Sequence, residues 1–106
     1  MHFLFIALNN DHLLDDVLSL MTGLEIVDAT VMDGVRQERI LAKDIPIFAG
    51  LLRSATGDRP YNKVIFATVH DVDTVKELVR LCKKQRIDFG DEETGKVVVL
   101  PVTYTT

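Results

Sequence analysis

The chain has a single cysteine, Cys82, which excludes an internal disulfide, and no Cys/His grouping with the spacing of metal ligands. Its only serines are Ser19 and Ser54, neither in a strand-to-helix elbow, and no glycine-rich phosphate loop of the P-loop kind is present. No catalytic constellation emerges, and the expectation is a protein that is not an enzyme. The longest apolar stretch near the start, Phe3 to Leu8, is too short to cross a bilayer and runs into Asn9, Asn10 and Asp11 rather than a cleavage site. A cytoplasmic protein without membrane insertion is expected. Cations are outnumbered, 12 against 16 anions, for a net charge of −4, which argues against a nucleic-acid partner.

What is present is a balanced globular composition, 47% hydrophobic and 26% charged over 106 residues, the size of one ordinary domain spanning 1–106. Charge is unevenly spread. Between Gly34 and Lys63 six cations (Arg36, Arg39, Lys43, Arg53, Arg59, Lys63) face three anions (Glu38, Asp44, Asp58), so this segment carries +3 and the rest −7. The basic segment is the first place to look for an anionic ligand.

His2 to Leu8 is apolar on both alternating faces, as in a strand covered on both sides. Asn10 or Asp11 caps a helix whose stripe is Leu14, Val17, Leu18 and Met21, with Gly23 as a left-handed stop. Glu25 to Met32 reads as the next strand, with Val27, Ala29 and Val31 on one face. The pattern then repeats: Lys63 to Val69 is a strand, Asp71 or Asp73 a cap, and Val75, Leu78, Val79 and Cys82 a second stripe, each position 61 beyond its counterpart. Lys96 to Val102 is the last strand. Two β-α-β units around a long excursion predict an α+β, ferredoxin-like (βαββαβ) fold, an antiparallel sheet with two helices on one face.

That topology leaves the other face bare, yet the first, third and fourth strands each offer it apolar residues. A second subunit is the simplest cover, so a homo-oligomer is expected; the alternative is that the excursion folds back over the face. The excursion, about Asp33 to Asn62, is longer than ordinary structureless loops. Within it Asp44 suits a cap and Pro46 a first turn, and Ile47, Phe48, Leu51, Leu52 and Ala55 form a short stripe closed by Gly57. This predicts an extra short helix whose Phe48, Leu51 and Leu52 either pack on the protein's own sheet or subunit or dock a partner.

Three segments resemble the P-II family of nitrogen-regulatory signalling proteins. Asp28-Ala29-Thr30-Val31 resembles the family's Gly-x-Thr-Val strand, and Gly34-Val35-Arg36-Gln37 its Gly-x-Gly-Arg-Gln loop base. The most specific is Thr94-Gly95-Lys96-Val97-Val98-Val99-Leu100-Pro101-Val102, which resembles the Gly-Lys-Ile-Phe-Val-Leu-Pro-Val ending of the core. The resemblance implies a homotrimer with an adenine nucleotide (ATP, ADP or AMP) or a smaller anion in clefts between subunits. It also implies a long loop that regulates a transporter, enzyme or regulator. Carried over by residue, Thr30, Arg36, Gln37, Gly95 and Lys96 are the nucleotide or anion contacts.

The chain departs from that family pattern at four places. No arginine follows Arg86, so the family's phosphate-clamping pair has no counterpart, and Val35 replaces a loop-base glycine. No tyrosine lies between Gln37 and Tyr61, and Val64-Ile65-Phe66 stands where a strand glutamate is usual. Two further functions follow from these departures and from the fold: a trimeric interaction module without nucleotide sensing, and a metal-responsive protein like the copper-tolerance trimers. Among single residues, Asp15 and Asp16 suit a helix's first turn better than a metal site with His12. Cys82 suits core packing, and His70 a turn or cap.

Overall fold

The computed structural model describes residues 1–44 and 60–106, the side chains of 42–44 excepted. Its elements are β1 (His2–Leu8), a 3-10 turn (Asp11–Leu13), α1 (Leu14–Gly23), β2 (Thr30–Val35), α2 (Gln37–Asp44), β3 (Tyr61–Val69), α3 (Val72–Lys84) and β4 (Gly95–Pro101). The Asn10 carboxamide accepts from the His12 N–H at 3.1 Å to open the 3-10 turn that leads into α1. Asp71 caps α3, its Oδ1 accepting from the Thr74 N–H at 2.8 Å and from the Thr74 hydroxyl at 2.9 Å. Each cap satisfies donors that a helical start leaves orphaned.

β1 pairs antiparallel with both β3 and β4, and β2 pairs with β3, so the four-stranded sheet runs β2-β3-β1-β4. This is an α+β architecture with a fully antiparallel sheet, compatible with a ferredoxin-like arrangement. The period of two along the strands puts Leu4, Ile6 and Leu8 of β1 and Ile65, Ala67 and Val69 of β3 on one face. There they form one core with Val17 and Met21 of α1 and Val75, Leu78 and Cys82 of α3. Leu4, Ile6, Leu8, Ile65 and Leu78 are fully buried, and each such side chain contributes about 2 kcal/mol of hydrophobic stabilisation.

The 61-residue repeat extends through the helix ends. After α1 the Glu25 N–H donates to Thr22 O (3.0 Å) and the Ile26 N–H to Met21 O (2.9 Å); after α3 the Arg86 N–H donates to Lys83 O (3.0 Å) and the Ile87 N–H to Cys82 O (2.9 Å). These are two Schellman closures. The left-handed residue is Glu25 or Arg86, each at φ 65°, rather than Gly23, which ends α1 within the helix. Ile26 and Ile87 then fold back into the core at 5% and 1% exposure.

This closure corrects the expected start of the second strand. Because residues 24–26 are spent turning back onto α1, pairing begins only at Thr30. Val27 is left 76% exposed, and Asp28 accepts from the Thr68 hydroxyl at 2.8 Å instead of joining a ladder. A second difference lies just after β2, where the chain is already helical over Gln37–Asp44 within the expected excursion, with Asp44 as the last residue of α2. The expected stripe Ile47 to Ala55, with the docking residues Phe48, Leu51 and Leu52, lies outside the described residues.

The other face of the sheet carries Phe3 and Phe5 of β1, Val64 and Phe66 of β3, Met32 of β2, and Val98 and Leu100 of β4. Phe66 packs against Phe3 and Phe5, each pair of ring centroids 5.8 Å apart. Met32 and Leu100 are each 52% exposed there among the described residues. The doubly apolar character expected of β1, β3 and β4 is therefore a property of the folded sheet.

Candidate functional site

Four strand ends meet at one end of the sheet. The register sets Leu8 of β1 opposite Gly95 of β4, and Gly34 of β2 opposite Asn62 of β3. The ladder continues one step past β2, the Arg36 N–H donating to Pro60 O at 2.9 Å, which fixes the backbone from which α2 starts at Gln37. Across the sheet, the Asn9 N–H donates to Thr94 O at 3.0 Å and extends the β1–β4 ladder in the same way. The loop before β4 is shaped by two side chains bonding their own backbone: Asp88 Oδ1 accepts from the Gly90 N–H (2.8 Å) and Asp91 Oδ1 from the Glu93 N–H (2.9 Å). The Asn9 carboxamide N–H then donates to Glu92 O at 3.3 Å and ties that loop to β1.

Between these ends lies a cleft of about 620 Å³, within the size range of small-molecule sites. Ala7 and Asn62 come from the two inner strands; Arg36, Gln37 and Glu38 stand on the β2 side, and Glu92, Gly95 and Lys96 on the β4 side. Asn9, Val35 and Phe89 complete the lining.

Of the five residues expected from sequence to contact a ligand, Arg36, Gln37, Gly95 and Lys96 all line this one cleft although about 60 residues separate the pairs. Thr30 does not line it. It pairs with Phe66 in mid-sheet, four residues before Gly34 and so roughly 13 Å along the strand. Asn62, Phe89 and Glu92 also line the cleft. No local pattern marks them, since they reach the site only through strand order.

The two glycines at this end have structural reasons of their own. Gly95 holds φ +139°, and a Cβ there would fall 1.8 Å from the Ala7 carbonyl oxygen. Its missing side chain lets β4 close onto β1. At Gly34 a Cβ would lie 2.1 Å from Asn62 Oδ1, so the glycine makes room for the Asn62 carboxamide to lie across the neighbouring strand.

Electrostatically, the described lining holds two cations, Arg36 and Lys96, and two carboxylates, Glu38 and Glu92. Lys63, another cation of the basic segment, is engaged elsewhere: it forms an ion pair with Asp33 opposite it in the β2–β3 ladder, and that hydrogen bond raises its pKa. Among the described residues no three His, Cys, Asp or Glu side chains gather to hold a metal, and no helix is long and apolar enough to cross a membrane. Cys82 is fully enclosed between α3 and the sheet, and burial pushes its thiol up to about 11. The chain matches no family model and no curated protein.

Proposed function

We propose that this chain is a cytoplasmic, non-enzymatic regulatory domain of P-II-like, ferredoxin-like type, associating as a homotrimer through the apolar sheet face. It takes an effector carrying an anionic group, an adenine nucleotide in the family pattern or a smaller anion, at the sheet-end cleft. The effector state is passed to a partner protein, a transporter, enzyme or regulator in nitrogen control, through the central segment after α2. The observation that supports this reading best is the convergence of Arg36, Gln37, Gly95 and Lys96 on one cleft from opposite edges of the sheet. The apolar face on which Met32, Val98 and Leu100 stand exposed beside the half-buried Phe3, Phe5 and Phe66 supports the association, because an exposed patch of that kind calls for a cover.

A second reading, an interaction module without effector sensing, is favoured by Gly95, whose glycine character is accounted for by its approach to Ala7 alone. Two measurements separate the readings. Light scattering during size exclusion is expected to give three times the chain mass; a clean monomer overturns the trimer in both. Calorimetric titration with ATP, ADP, AMP and inorganic phosphate is expected to give saturable heat that Lys96→Met reduces. An intact trimer with no heat at millimolar concentration of any of them removes the nucleotide and phosphate form of the first reading.

A further inference from the structure

The charges around the cleft are arranged in pairs, one of each sign on each wall. β2 and β4 are the outermost strands of the sheet, three strand spacings apart, so the two walls stand about 14 Å from each other at the backbone. Arg36 and Glu38 flank Gln37 where β2 gives way to α2; Glu92 and Lys96 flank Gly95 where the loop gives way to β4. A nucleoside triphosphate would bring roughly four negative charges into a described lining that is formally neutral, and Glu38 and Glu92 would oppose it at short range.

Asn62 adds a donor between the walls. Its Oδ1 is sealed from solvent without a hydrogen-bond partner, lying over Gly34, which leaves Nδ2 as the end of the amide able to meet a ligand in the cleft that the residue lines. An Nδ2 donor in the same lining as Lys96 and Arg36 suits a single carboxylate or comparably small anionic group. The two glutamates suit an ammonium group on the same molecule.

Resting on the reading of this cleft as an effector site, we infer that its ligand is a small zwitterion, with its anionic group on Asn62 Nδ2, Lys96 and Arg36 and its ammonium group on Glu38 and Glu92. Asn62 is on this assignment a ligand-contacting residue, and Glu38 and Glu92 oppose a polyphosphate by charge.

Amide NMR on the full chain tests this with the twenty free amino acids and glycylglycine as zwitterionic probes, and with ATP and inorganic phosphate as anionic ones. At least one zwitterion is expected to shift the Asn62 side-chain amide and the Lys96 backbone amide saturably, and to bind at least tenfold more tightly than ATP. In the Glu38→Gln/Glu92→Gln variant, which exchanges exposed or half-buried side chains and keeps their shape, that order is expected to reverse. Asn62→Leu is expected to weaken the zwitterion at least tenfold, with distant amides unmoved. Tighter binding of ATP by the unmodified chain, or an order unchanged in the double variant, overturns the zwitterion and leaves the effector site standing. Absence of binding by every probe overturns both.

Discussion

Glu25 and Arg86, 61 residues apart, hold the same left-handed backbone, φ 65° in each, one residue beyond the C-cap of α1 and of α3. They are the only non-glycine residues with positive φ among those described. Both carry a Cβ in a conformation that costs an L-residue roughly 1 to 2 kcal/mol. Glycine removes that cost but adds freedom to the unfolded chain. Glu25→Gly and Arg86→Gly are therefore each expected to stabilise the protein by about 0.5 kcal/mol, additively because the two turns share no partner. Urea midpoints of the two single variants and the double variant check this.

At Gly95 the same substitution logic runs the other way. Alanine would place a methyl group on the Ala7 carbonyl and strain a φ of +139°, so β4 could keep its register only by moving off β1. Gly95→Ala is expected to destabilise by about 3 kcal/mol. Loss of effector binding with full stability would instead show that the glycine serves the ligand.

Acid should weaken the start of α3 in a way that one residue controls. The Thr74 backbone N–H, then the Thr74 hydroxyl, holds the Asp71 carboxyl below its ordinary value of 3.8. Because the folded pKa is the lower one, the stabilisation is present above the unfolded value and is lost as pH falls through the folded value. The window lies below about pH 4. Asp71→Asn keeps a capping oxygen without the charge, so its stability is expected to fall less than the wild type's between pH 5 and pH 2.5. Parallel urea titrations across that range measure the difference.

The thiol of Cys82, raised to about 11 by burial, is expected to resist a disulfide reagent at pH 8 in the folded protein and to react fully in denaturant. Fast native-state labelling would mean that α3 detaches from the sheet far more often than its buried stripe allows.

Much of the fold was legible because its signals are local. The stripes Leu14–Met21 and Val75–Cys82, the caps at Asn10 and Asp71, and the strand at His2–Leu8 all stand where periodicity and side-chain chemistry put them. Local signals misled where a non-local contact outweighed them. Val27, Ala29 and Val31 alternate like a strand, but of the three only Val31 pairs, because the closure that buries Ile26 takes residues 24–26 and the ladder starts at Thr30.

The cleft divides along the same line. By itself the sequence determined which residue types were available near each strand end: Arg36 and Gln37 after one strand, Gly95 and Lys96 before another. Only the tertiary structure decided that they meet, because antiparallel pairing in the order β2-β3-β1-β4 brings the end of β1 and β2 and the start of β3 and β4 to the same side. It also decided the company they keep. Asn62, Glu38 and Glu92 carry no motif, and their effect on ligand charge exists only once the strands have set one wall against the other.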